Sequence, residues 1–173
     1  ELEGVVGEPP VGFVPGDDVA HERVVTLRHL DHLTFDGLEV SGFLYRPPAT
    51  FTGRRPVIIN IHGGPEAQFR PTFLGRNNYY LNELGVAMIF PNIRGSSGYG
   101  KTFYHLDDKR HGDMDLKDIV AGRAYLESLD WVDGERVGII GGSYGGYMVM
   151  AALAFEPEAF DAGINIFGVT NWV

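Results

Sequence analysis

The period of apolar positions changes several times along the chain, and each change predicts an element. "RRPVIINIHGGP" (54–65), "VAMIF" (86–90), "RVGIIG" (136–141) and "AGINIF" (162–167) are short apolar runs rich in β-branched residues, as strands inside a sheet are. The first of them shows no alternation, which predicts a strand buried on both faces. Between the runs the period lengthens to that of a helix. "RNNYYLNELG" (76–85) ends on Gly85; "GDMDLKDIVAGRAYLESLD" (112–130) sets Leu116, Ile119, Leu126 and Leu129 on one side; "YMVMAALAFEPE" (147–158) is apolar nearly all round. Strand and helix alternating in this way predict parallel strands joined by right-handed helical crossovers. Ahead of them, "RVVTLRHLDHLTF" and "LEVSGFLYRP" flank Asp36-Gly37, a hairpin signal. The expected fold is an α/β open sheet led by an antiparallel hairpin.

Composition narrows the setting without naming a chemistry. A chain of 173 residues with 44% apolar and 21% charged residues buries one ordinary domain core. Its net charge of −9 argues against nucleic acid and anionic membrane as partners, since neither attracts an acidic surface. Without cysteine there is neither a disulfide nor a thiolate metal site, and either redox compartment is compatible with that. No apolar run reaches the roughly 18 residues of a membrane span. The first 20 residues hold three prolines and four glycines without periodicity and read as a linker. A start without Met and an end at "GINIFGVTNWV" read as a piece cut from a longer chain.

One hydroxyl stands out. Ser143 follows the strand "VGIIG" and precedes a helix, in the setting Gly141-Gly142-Ser143-Tyr144-Gly145. This is a G-x-S-x-G pattern, in which a nucleophile stands on a tight strand-to-helix turn and the flanking glycines remove side chains that would collide there. In such sheets ligands bind beyond the carboxyl ends of the strands, where Ser143 falls. A second run, "IINIHGGP" (58–65), ends its strand on two bare glycines. The amides of Gly64 and Tyr144 are therefore the expected oxyanion donors, each worth roughly 3 to 4 kcal/mol in such a hole.

"HGGPEAQFRP", "GRNNYYLNELG", "PNIRGSSGYGKTF", "DLKDIVAGRAYL" and "GGSYGGYMVMAAL" stand in the order found in the C-terminal hydrolase domain of the prolyl oligopeptidase family of serine peptidases, and the HGGP variant resembles the acylaminoacyl-peptidase type. The similarity runs from about Asp36 to Val173. It implies an α/β-hydrolase fold, with residues 23–173 its N-terminal part, incomplete at the C-terminus, and residues 1–22 the linker or the end of a preceding β-propeller domain of the same parent chain. It further implies that Ser143 is the nucleophile and that the amides of Tyr144 and Gly64 hold the oxyanion. Several branches of the family have a tyrosine where this chain has His62, which reads as structural. The ring of Tyr144, with Val169 and Trp172, matches positions lining the pocket for the residue before the scissile bond, and such walls suit proline or another compact apolar side chain.

The triad of this fold runs serine, acid, histidine along the chain, yet all six histidines (His21, His29, His32, His62, His105 and His111) precede Ser143. The Asp beyond it, Asp161, reads as the lead into the next strand. The catalytic Asp and His are expected past residue 173, so residues 1–173 alone are expected to be inactive. The implied activity is cleavage of peptide bonds in oligopeptides, with no metal and no cofactor. A carboxylesterase of the same fold and a non-catalytic hydrolase-like interaction module are the alternatives. The acidic stretch "HLDDKRHGDMD" (105–115) fits no closed zinc pattern and reads as a polar loop entering a helix. "PNIRGSSGYG" lacks the phosphate-loop spacing, and its Arg94 reads as a structural ion-pair former. Tyr79, Tyr80 and Phe90 read as packing residues.

Overall fold

The computed structural model describes residues 26–171; the 1–22 segment and Trp172 lie outside the described residues. Six strands form one sheet in the order β1-β2-β4-β3-β5-β6. They are β1 (Thr26–Leu33), β2 (Glu39–Arg46), β3 (Arg55–Ile61), β4 (Ala87–Asn92), β5 (Val132–Gly142) and β6 (Ala162–Ile166). β1 pairs antiparallel with β2 and β2 with β4, while β3 runs parallel to both β4 and β5, and β5 parallel to β6. The expected hairpin followed by parallel strands is what forms. Its turn closes with Thr34 N–H donating to the Leu38 carbonyl (2.8 Å), and Gly37 sits at φ +80°, the left-handed position such a loop requires.

Helices α1 (Asn78–Asn82), α2 (Lys101–Tyr104), α3 (Met114–Glu127) and α4 (Tyr144–Phe155) connect the strands. The larger core lies between the sheet and α3 with α4. Val57, Ile59, Ile61, Ile89, Val137 and Ile139 point into it from the strands, against Leu116, Ile119 and Leu126 of α3 and Met148, Val149 and Ala152 of α4. Truncating one such side chain, the fully buried Leu126 for instance, costs roughly 2 to 5 kcal/mol. The opposite face carries a smaller cluster of Tyr45, Leu81, Met88 and Phe90. β3 therefore departs from the expectation of burial on both faces: Val57, Ile59 and Ile61 are buried, but Ile58 and Asn60 are only half-covered. Its second face meets the five-residue α1 and its neighbouring loop instead of a long helix. β4, wedged between β2 and β3, is buried throughout, as its unbroken apolar run predicts. β6 forms the edge of the sheet opposite β1 and is mostly exposed.

A buried ion pair ties the hairpin to the helical layer. The Arg94 guanidinium, 2% exposed, donates through Nε and Nη2 to Asp118 of α3 (2.9 and 2.7 Å) and through Nη1 and Nη2 to Asp36 of the hairpin turn (both 3.0 Å). Burial opposes its charge, but these hydrogen bonds more than compensate and hold its pKa above the ordinary value. The structural role expected of Arg94 is what the fold assigns. The segment after it, Gly95–Gly100, is thereby anchored from two sides.

Candidate active site

The parallel strands bring the ends of β3 and β5 side by side, Ile61 opposite Gly141. Beyond them the chain turns at Ser143 into α4. Ser143 has φ 55° and ψ −120°, a conformation that costs a non-glycine residue about 1 to 3 kcal/mol. The turn closes through Ser143 N–H to the Ile166 carbonyl (3.1 Å) and Tyr147 N–H to the Ser143 carbonyl (3.1 Å). Both glycines of the motif are sterically required. A Cβ on Gly141 would meet the Gly145 carbonyl oxygen at 2.3 Å, and one on Gly145 would meet the Ile61 carbonyl oxygen at 2.2 Å. Strand, turn and helix are packed backbone against backbone, and Ser143 is left exposed at the carboxyl end of the sheet.

The glycines after β3 approach the same point. The Cβ position of Gly63 is 3.4 Å from Ser143 Cβ and 3.9 Å from its Oγ. Gly64 follows at φ +125°, where a side chain would strike the Glu66 amide nitrogen at 2.4 Å. This loop is held by Asn92 at the end of β4 and by the "RGSSGYG" segment that follows. The Asn92 side chain clamps Phe69 at both its N–H (2.7 Å) and its carbonyl (3.1 Å). Ser97 N–H donates to the Ala67 carbonyl (2.9 Å), and the Tyr99 hydroxyl accepts from Asn92 Nδ2 (2.7 Å) and Ser41 Oγ (2.6 Å). Nothing in the sequence singled out Asn92, Ser96 or Tyr99 individually; the motif that holds them was the signal.

Tyr144 opens α4. Its ring is 2% exposed, set edge-on to His111 and against Tyr147, and its hydroxyl donates to Asp115 Oδ2 of α3. The side chain turns into the protein, where the buried Asp115 offers an acceptor. Burial and the neighbouring Asp115 push the Tyr144 phenol above its ordinary pKa, so it stays a donor. Asp115 Oδ1 accepts from the Gly112 and Leu116 amides (2.8 and 2.9 Å). Burial drives the Asp115 carboxyl up, and these bonds with Tyr144 pull against it. Asp107, His111 and Asp115 bring ligand-type atoms within 4.8 Å of one another, but they are already engaged: Asp107 pairs with His111 at 3.2 Å, and Asp115 with Tyr144 and two amides.

The described histidines bond away from Ser143. His62 contacts Gly63 and Ser96, His105 bonds Asp108, His111 pairs with Asp107, His32 stacks on Tyr125, and His29 lies against Phe43. Asp161 does lead into β6, exchanging bonds with the Val137 backbone through its own N–H (3.0 Å) and its Oδ2 (2.8 Å). Val169 follows β6 and is 42% exposed.

Residues 71–173 match the profile of the prolyl oligopeptidase family. The chain belongs to this family. Among relatives it is 31% identical to the uncharacterized peptidase YuxL of Bacillus subtilis over 91% of the chain and 24% of that protein. It is 34% identical to human dipeptidyl peptidase 8 over 79% of the chain and 16% of that protein. The solved acylaminoacyl peptidase of Pyrococcus horikoshii superposes with a TM-score of 0.75 at 32% identity, over 89% of the chain and 24% of that structure. The sheet with its covering helices is thus that of an α/β-hydrolase, and the chain spans about a quarter or less of the prolyl oligopeptidase family members it matches.

Proposed function

We propose that Ser143 is the nucleophile of a serine peptidase that cleaves oligopeptides through an acyl-enzyme. The observation that carries this reading is the strained, exposed Ser143 on a turn sealed by Gly141 and Gly145. A fold keeps such strain where a hydroxyl must stand clear of its neighbours. Ser143 Oγ attacks the scissile carbonyl carbon while a histidine takes its proton; the carbonyl oxygen becomes an oxyanion between the Tyr144 and Gly64 amides. Collapse expels the amine, which receives the proton from histidine, and water hydrolyses the ester by the same steps in reverse. The histidine and its Asp partner come from polypeptide outside residues 1–173, a reading supported by the engagement of the described histidines elsewhere.

In this reading the Tyr144 ring and Val169, which stands exposed after β6, belong to the pocket for the residue before the scissile bond; the third expected wall residue, Trp172, lies outside the described residues. The names of the relatives, a dipeptidyl peptidase and an acylaminoacyl peptidase, support peptides as the substrate class. We place a β-propeller domain ahead of residue 23 in the parent chain, a reading supported by the greater length of the relatives. Steady-state hydrolysis of chromogenic oligopeptides by the full-length protein and its Ser143→Ala variant tests the reading. Peptide turnover lost in the variant is expected; equal turnover in both contradicts it.

A further inference from the structure

The contacts that Asp107, His111 and Asp115 make with one another leave their charge unbalanced. Asp107 is 1% exposed and Asp115 fully buried, so two carboxylates stand close together out of water, where an uncompensated charge is costly. The other cations of this part of the fold are committed elsewhere. Arg110 and Lys117 turn outward to Asp113, at 2.7 Å each, and Arg94 pairs with Asp36 and Asp118. Among the described residues, His111 is the one basic side chain within ion-pair reach of either carboxylate. One imidazole carries at most one positive charge against two negative ones.

The three side chains also meet as ligands do. His111 Nδ1 and Asp107 Oδ2 approach to 3.2 Å, both atoms are closed off from solvent, and neither makes a hydrogen bond. Two donor atoms held about 2.1 Å from one cation stand roughly 3 to 3.5 Å apart at octahedral or tetrahedral angles, and the observed separation falls in that range. An Asp115 ligand atom lies within 4.8 Å of both. Asp115 Oδ2 gives one lone pair to the Tyr144 hydroxyl, and a carboxylate oxygen keeps a second. The loop that gathers these residues is itself fixed: the Gly112 N–H donates to Asp115 Oδ1 (2.8 Å) and the Tyr147 hydroxyl to the His111 carbonyl (3.3 Å). Two carboxylates with one imidazole suit a first-row divalent cation such as Zn²⁺ or Mn²⁺, whereas Ca²⁺ and Mg²⁺ favour oxygen alone. We propose that Asp107, His111 and Asp115 form a site for one such cation, which fastens the loop ahead of α3 beneath the turn carrying Ser143, with Tyr144 as the link between them. The site does not depend on the role proposed for Ser143.

The test uses the full-length protein, stripped with EDTA and titrated with ZnCl2 or MnCl2 in a calorimeter. Three variants are compared with it: His111→Gln, Asp107→Asn, and Asp113→Asn, which changes an exposed carboxylate outside the site. His111→Gln and Asp107→Asn are each expected to lose one bound cation per chain or to weaken its binding at least ~10-fold, and Asp113→Asn to bind as the native protein does. The thermal midpoint of the stripped native protein rises with the cation, while that of His111→Gln does not. Either ligand variant is read alone if the other does not fold. No uptake of either cation by the native protein at millimolar concentration overturns the inference, as does native affinity and stoichiometry in the ligand variants. An equal loss in all three variants, the mark of diffuse attraction to an acidic loop, overturns it too, and so does tighter binding of CaCl2 or MgCl2 than of both transition-metal salts. In crystals grown with MnCl2 an anomalous peak among the three side chains is expected, and peaks only elsewhere contradict the site.

Discussion

The residue after the serine is pinned from below: the Tyr144 hydroxyl donates to the Asp115 carboxylate, which is fully buried on α3. The first turn of α4 is thereby tied to the neighbouring helix directly beneath the turn that carries Ser143. Removing the hydroxyl leaves a buried carboxylate oxygen short of a donor, a penalty of about 1 to 3 kcal/mol. Tyr144→Phe is therefore expected to lower the denaturant midpoint by a corresponding amount. The Tyr144→Phe/Asp115→Asn pair is expected to be non-additive in a double-mutant cycle, and strict additivity contradicts the link.

Gly145 admits no side chain. Alanine there sets a methyl group 2.2 Å from the Ile61 carbonyl oxygen, with the His62 carbonyl oxygen at 2.9 Å, and neither backbone atom belongs to a segment free to yield. Gly145→Ala is expected to destabilise the fold by roughly 3 to 5 kcal/mol, in the exceptional range for a point change. Thermal unfolding measures it, and a shift under about 1 kcal/mol is inconsistent with the packing described.

Asp36 supplies an acid-dependent part of the stability. Its hydrogen bond to Arg94 holds the carboxyl well below the usual carboxylate range, with burial opposing and Thr34 adding to the effect. Because the folded-state pKa is depressed, this contribution is complete above the unfolded-state value near 4 and is lost as pH falls below it. The side chain is 39% exposed, so salt screens the interaction. Asp36→Asn is expected to flatten the loss of stability below about pH 4 and to reduce its salt dependence, as followed by circular dichroism across an acid titration.

Residues 1–173 on their own are expected to hydrolyse peptides no faster than their Ser143→Ala variant, since a serine without its histidine remains a neutral alcohol. The exposed β6 at the sheet edge also predicts self-association, visible by light scattering as concentration rises. Substantial turnover by this polypeptide contradicts the placement of the base and acid.

Local pattern carried much of this structure. Asp36-Gly37 marked the hairpin, the unbroken "VAMIF" run marked the fully buried strand β4, and Gly141 and Gly145 marked the elbow around Ser143. What escaped were relationships between residues far apart in the chain. Arg94 was legible as an ion-pair former, but its partners Asp36 and Asp118 lie 58 and 24 residues away, and no period encodes that meeting. The bond of the Tyr144 hydroxyl to Asp115 was not legible either, because the position beside the serine says nothing of an acceptor 29 residues upstream. The four-residue α2 was missed because one helical turn leaves no periodic signature. The half-covered face of β3 was missed because its sequence does not reveal how short the helix packed over it is.

The central claim is that Ser143 is an activated nucleophile in the full-length protein. A fluorophosphonate reacts with such a serine and ignores ordinary surface hydroxyls, and peptide mass spectrometry locates the adduct. The expected result is a single phosphonylated site at Ser143, abolished in Ser143→Ala and slowed by a competing oligopeptide. A folded full-length protein with no adduct at Ser143, or with labelling that persists in Ser143→Ala, contradicts the account.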